Sequence, residues 1–150
     1  GPSNCKSDSR RYPWPTSDDP TCELVVMDNC QDDPDRVCSR SPKGDSPYGL
    51  CDISGNVWEW VSDWYQKDYY CVGPGANGET SCSDCGNWFD FPVAWSNPAG
   101  PEEGTARVMR GGGYQLDPDF LRVSARSGDV PTAFDSYLGF RCCGHIDGAL

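Results

Sequence analysis

The side chains best able to do chemistry in this sequence are acids and cysteines, and both occur around one stretch, "CDISGNVWEW" at residues 51–60. Asn56 and Glu59 sit there inside a tryptophan-rich run. Burying either without a partner costs kilocalories, so each must be hydrogen-bonded or left in water. The single histidine, His145, lies near the end of the sequence and gives a Ser-His or Cys-His nucleophile one badly placed candidate. Asp117 with Asp119, or Asp129 with Asp135, could do acid-base work only if one pKa of the pair were raised. Cys82 and Cys85 have the spacing of half a zinc site, but no second pair stands at a matching distance. The triple glycine after Arg110 resembles part of a phosphate cradle, yet no Lys-Ser/Thr and no helix signal follow it. Close backbone packing at a strand end is the better reading of those glycines.

The frame that must position these residues is unusual in composition. Leu, Ile, Val and Phe are only 23 of 150 residues, and the net charge is -11. Alone, those values describe a disordered chain. Six Trp, seven Tyr and ten Cys argue otherwise, because aromatic rings bury large areas and each crosslink is worth about 2–4 kcal/mol. The expectation is one loop-rich, disulfide-stapled domain in an oxidising compartment. Cys142 and Cys143 are adjacent, so in an extended strand they face opposite ways and take different partners. Connectivity is not given by spacing. An acidic surface of sequence pI near 4.3 disfavours nucleic acid and anionic lipid. No stretch is apolar enough to span a membrane and no signal peptide is visible. Gly1-Pro2-Ser3 reads as an exogenous remnant, which leaves a removed leader or anchor open.

The pattern predicts strands at "ELVVM" (23–27), "VWEWVSDW" (57–64), "RVMR" (107–110), "FLRVSAR" (120–126) and "YLGFRCC" (137–143). In the second, Trp58 and Trp60 share one face and Val57, Glu59 and Val61 the other. Residues 71–104 read as a long irregular excursion pinned by Cys71, Cys82 and Cys85. The expected organisation is an N-terminal segment over 1–11, a domain over 12–143 and a tail over 144–150.

Five motifs arrive in a single order: "YPW" at 12–14, "GLCDISGNVWEWVSDWY" at 49–65, "RVMRGGGY" at 107–114, "RVSARS" at 122–127 and "LGFRC" at 138–142. The series resembles the formylglycine-generating enzyme family, the sulfatase-modifying-factor domain. That resemblance implies an irregular α+β fold, a variant of the C-type lectin fold, of which this sequence is similar to the later half. The upstream half would then lie on another segment or on a partner chain. By position, the resemblance implies a calcium ion held by the Asp52 and Glu59 side chains and the carbonyls of Gly55 and Val57. Two carboxylates and two turn carbonyls are a sensible partial shell for an ion that takes about 6–8 oxygens. A second calcium loop of the family falls near "VVMDNCQDDPD", where Asp28, Asn29, Asp32, Asp33 and Asp35 crowd together.

The same alignment places Leu116 and Leu121 where the family's two copper-binding catalytic cysteines belong. Leucine offers no thiolate to bind Cu(I) or to exchange with a substrate thiol. Related sulfoxide-forming enzymes use several iron-binding histidines, which this sequence does not have. The expectation is therefore a domain without the family's catalysis, secreted or displayed at a cell surface, with a periplasmic site as an alternative. It binds a protein or glycan ligand through Tyr114, Gln115, Asp117, Asp119 and Phe120 in one stretch and Thr132, Phe134, Asp135 and Tyr137 in another. Aromatics mixed with short polar groups make recognition surfaces. Core positions for Phe120 and Phe134 are the competing reading. The Glu-Pro-Asn and Gln-Pro-Asp tripeptides of sugar-binding C-type lectins are absent. A structural subunit of a surface assembly and a copper-dependent oxidase are the alternative functions.

Overall fold

A computed structural model describes residues 10–15, 19–67, 69 and 100–142. The expectations that concern Cys71, Cys82, Cys85, Cys143, His145 and the tail lie outside the described residues. Among the described residues, four strands form one sheet: β1 (Trp58–Trp64), β2 (Arg107–Arg110), β3 (Ser127–Asp129) and β4 (Leu138–Gly139), in the order β3-β2-β1-β4. β1 is the predicted strand less its first residue, and its aromatic and β-branched side chains are what a pleated, half-buried surface favours. β2 coincides with the predicted "RVMR". Loops dominate the rest of the described residues, and the fold is the irregular, disulfide-stapled kind expected.

Three other strand expectations are corrected. Residues 23–27 are a turn and a loop, because the N–H groups of Leu24 and Val25 both donate to the Thr21 carbonyl, at 2.9 and 3.0 Å. Val25 and Val26 are buried there without belonging to a sheet. Residues 120–126 hold no strand. Pro118–Leu121 is a 3-10 turn whose N-cap, Asp117, accepts from the Asp119 N–H at 3.0 Å. An Asx cap followed by proline favours that turn over an extended chain, so the strand begins only at Ser127. Of the described residues in the last predicted strand, 137–142, only Leu138–Gly139 are extended in the sheet.

The chain divides into two compact units. The first comprises Gly1–Trp60, Met109–Arg126 and Phe134–Leu150. Its core is Tyr12, Trp14, Val25 and Leu121, with Leu24 and Met27 packed against it. Tyr12 and Trp14 stack at 4.9 Å between ring centroids and 8° between planes. Burial raises the Tyr12 phenol pKa above its ordinary value. Among its described residues, two disulfides staple this unit, Cys22–Cys30 and Cys38–Cys51, across 8 and 13 residues. Loop-closure entropy gives each about 2.5–3 kcal/mol, a large share for a domain with so few aliphatic residues. Cys142 is exposed and joined to no described cysteine.

The second unit comprises Val61–Val108 and Ser127–Ala133. Its described part is built on aromatic contacts. The Arg107 guanidinium lies 3.4 Å above the centroid of the Trp64 ring and also donates to the Ser62 carbonyl, a cation-π contact combined with a backbone bond. Gly128 abuts the Tyr65 ring so closely that a side chain there would collide with it.

Candidate functional site

The turn between Cys51 and β1 is set by backbone shapes that few residue types accept. Asp52, Gly55 and Asn56 all have positive φ, at 52°, 77° and 65°. Asn and Asp tolerate this region because their short polar side chains bond locally. Gly55 has no substitute: a Cβ would strike the Val25 side chain and the Val26 carbonyl. The turn is then tied on three sides. Gly55 N–H donates to the Gly111 carbonyl and Asn56 N–H to the Val26 carbonyl, both at 2.8 Å, while the Asn56 carbonyl accepts from Tyr114 N–H at 2.8 Å.

Both polar groups of the tryptophan-rich run have partners. Asn56 Oδ1 accepts from the Asp35 N–H at 2.9 Å, and Asn56 Nδ2 donates to the Asp35 carbonyl at 3.2 Å. One amide side chain thus closes a two-bond ring on one peptide backbone and satisfies a group that is 5% exposed. Glu59 is held by Arg141, whose Nε donates to Oε2 at 2.6 Å and whose Nη2 donates to Oε1. The same guanidinium donates to the carbonyls of Cys51 at 3.2 Å and Asp52 at 3.1 Å. The register explains the meeting. Glu59 pairs with Gly139 across the parallel β1-β4 ladder, and Arg141 follows Gly139 by two residues, so it returns to the same side of the chain.

The expected calcium donors are therefore partly engaged. Asp52 Oδ2 accepts from the Cys38 N–H at 2.7 Å, and both Glu59 oxygens accept from Arg141. A carboxylate has about four lone-pair positions, so these bonds do not use up either acid, but the guanidinium on Glu59 is itself a cation and would compete with a metal there. The oxygen-only donor set of Asp52, Gly55, Val57 and Glu59 suits calcium. A nearby grouping does not: the sulfurs of Cys38 and Cys51 and a carboxylate oxygen of Asp52 lie within 4.8 Å of one another, but those sulfurs form a disulfide and offer no thiolate. At the expected second loop, Asn29 Nδ2 donates to Asp28 Oδ2 at 2.9 Å, and Arg40 pairs with Asp35 at 2.8 Å. The Arg36 N–H, then Ser39, then Arg40 hold the Asp35 carboxyl below the ordinary range. Asp32 and Asp33 are exposed.

The candidate ligand residues split into frame and surface. Tyr114 is buried, with its hydroxyl 3.4 Å from Ser136 Oγ, so the two candidate stretches touch within the first unit. Tyr137 is also frame, since its carbonyl accepts from Trp58 N–H at 2.8 Å. Asp117 caps the 3-10 turn, and Asp135 Oδ1 accepts from Ser136 N–H at 2.6 Å. Phe120 is 47% and Phe134 92% exposed, against the core reading. Gln115, Asp119 and Thr132 are exposed as well, Thr132 on the second unit. Leu116 is half-buried and Leu121 fully buried. Gly112, at φ 74°, lets the backbone pass Leu121: a Cβ there would lie 2.7 Å from Leu121 Cδ2 and 2.9 Å from the Phe120 carbonyl oxygen. The triple glycine is thus a packing device. The sequence reading did not single out Arg141 beyond its motif. An arginine two residues past a strand glycine, with a glutamate in another strand, was the available signal.

Comparison with known proteins agrees with this architecture. The profile of the sulfatase-modifying factor enzyme 1-like domain matches residues 5–146. The formylglycine-generating enzyme of Thermomonospora curvata is 29% identical over 147 residues, covering 90% of this chain and 43% of that protein. Its counterpart from Streptomyces coelicolor is 36% identical over 114 residues, covering 74% of this chain and 29% of that protein. The chain thus spans less than half the length of these relatives. Among solved structures, Treponema denticola variable protein 1 superposes with a TM-score of 0.56 at 25% identity, over 79% of this chain and 34% of that one. Motif order, fold and profile agree, and the chain belongs to the sulfatase-modifying factor enzyme 1-like domain family.

Proposed function

We propose that this chain is a non-catalytic, extracellular or cell-surface ligand-recognition module on a calcium-stabilised scaffold of the formylglycine-generating enzyme type. The observation that carries the reading is the surface position of Phe120 and Phe134, flanked by Gln115, Asp119 and Asp135. Their stretches are anchored to the frame by the Tyr114–Ser136 contact and the Asp117 cap. Rings presented from an anchored backbone lose little entropy on binding a protein or glycan surface. Asp52, Gly55, Val57 and Glu59 would hold the calcium, whose role is to fix the turn that leads into β1. The two disulfides support an oxidising location.

Formylglycine generation, which the names of two relatives carry, is not proposed for this chain. Leu121 is hydrocarbon packed in the core, and Leu116 gives no thiolate. The reading is tested with glycan and peptide arrays probed in calcium and then in chelator. Expected are a retained ligand whose binding Phe134→Ala weakens, and a melting temperature that falls in chelator. Copper-dependent turnover of a cysteine-containing sulfatase peptide would overturn it. A fall in melting temperature with no ligand on any array would favour a structural subunit instead.

A further inference from the structure

A second feature of the first unit is an apolar cleft of about 280 Å³. Its apolar lining includes Tyr12, Pro13, Pro47, Tyr48, Leu50 and Val123, and Arg10 and Ser46 are its polar residues. We propose that this cleft is a protein-docking surface, and that its occupant is polypeptide lying outside these 150 residues. That polypeptide corresponds to the part of the family's longer members that this chain does not match, and it seats an uncharged, apolar face here.

Four observations converge. The cleft is continuous with the core, because Tyr12 lines it and also stacks on Trp14 in the cluster with Leu121. The unit's core therefore reaches the surface at this place. Acids make up 23 of the 150 residues, yet among the described residues none lines the cleft, and Arg10 is the one charged residue there that does. Depletion of charge marks the centre of protein interfaces. Next, the wall is pre-ordered. The Cys38–Cys51 disulfide closes the span that carries residues 46–50. Within it Ser46 N–H donates to the Leu50 carbonyl and Gly49 N–H to the Ser46 carbonyl, each at 2.9 Å. A locked turn presents its side chains at low entropic cost. Finally, the two relatives carry more polypeptide than the matched part, since the chain spans 43% and 29% of their lengths.

The exposure of Tyr48 decides between occupants. The ring is 87% exposed, standing out from the cleft rather than closing over it. A small ligand inside the cleft would leave most of that ring wet, whereas a polypeptide laid across the rim would cover it. Tyrosine is among the residues that dominate binding energy when so covered. The proposal rests on the cleft and on family membership, and is independent of whether Phe120 and Phe134 bind a ligand.

The test uses hydroxyl-radical footprinting of the full 150-residue chain. The unmatched portion of the Thermomonospora curvata relative is added as a separate polypeptide and, in a second arm, fused ahead of residue 1 to raise its effective concentration. Labelling of Tyr48 and Leu50 is expected to fall about tenfold in the fused arm, where effective concentration is millimolar, while Phe134 stays labelled. Tyr48→Glu with Leu50→Glu should weaken association in trans by about 30-fold or more, the size of an interface hot spot. Both side chains are exposed, so the melting temperature of the free chain should not change. Undiminished Tyr48 labelling in a fused protein whose added part is folded by circular dichroism would overturn the proposal. Protection that depends on concentration in the chain alone would do so too, since it would assign the surface to a second copy. Neither result bears on the array experiment.

Discussion

Arg141 Nε donates to Glu59 Oε2 at 2.6 Å, and the same guanidinium reaches the Cys51 and Asp52 carbonyls. One side chain thereby joins the end of β4 to the turn before β1, the place where the family resemblance puts a metal. The pair is partly exposed, at 32% and 20% for the two side chains, which moderates its worth relative to a fully buried pair. Glu59→Gln and Arg141→Gln should each cost about 1–3 kcal/mol, the range for charged hydrogen bonds and groups left unpaired. The double variant should cost clearly less than the two together, by about 0.5–3 kcal/mol of coupling. Urea unfolding of the four proteins measures the cycle, and additive losses would show that the two do not act as a pair.

Asn56 carries two separable contributions, its bonds to the Asp35 backbone and its positive φ. Asn56→Ala loses both, leaving a peptide N–H and carbonyl without their partner, while Asn56→Gly loses the bonds and keeps the backbone shape. The glycine variant should be the more stable of the two by about 1 kcal/mol, the cost of the left-handed region for a residue with a Cβ. Thermal and urea melts distinguish them, and equal losses would mean that backbone conformation contributes nothing.

Acid should weaken the loop that holds Asp35. Its folded-state pKa is lowered, by the Arg36 N–H first and then by Ser39 and Arg40, whereas an unfolded aspartate titrates near about 3.9. The ionised form is thus favoured by folding. The contribution is present above that pH and is lost as pH falls through the folded value. Asp35→Asn, which keeps the backbone bonds to Asn56, should flatten the stability profile below about pH 4. An unchanged acid slope would assign the acid sensitivity to other carboxylates.

Removing the Cys38–Cys51 bridge by paired serine substitution should cost about 3 kcal/mol for a closed loop of this size. The Cys38 N–H to Asp52 bond at 2.7 Å then has no crosslink beside it. Hydrogen exchange of the amides of Ser46, Gly49 and Leu50 should accelerate together with a lower melting temperature. Unchanged exchange there would show that the turn's own hydrogen bonds suffice to order it.

Residue type and order alone determined much of this protein. The motif series identified the fold, β1 stood out because its aromatic and β-branched run suits a pleated surface and β2 because its apolar Val108-Met109 pair is bounded by arginines and followed by glycines, and Asn56 and Glu59 were marked as groups that needed partners. Which partners they took was a tertiary matter. Asp35 lies 21 residues from Asn56 and Arg141 82 from Glu59, and no local pattern encodes a meeting across such distances. The same holds for the corrected strands. Val25 and Val26 are as apolar as any strand, but a turn at Thr21 and the Asn56 N–H took their backbone, and Asp117 with Pro118 closed a 3-10 turn where side-chain propensity favoured extension. Whether Phe120, Phe134 and Tyr48 stood inside or outside also required the fold, because a ring's burial depends on what packs against it and not on its own hydrophobicity.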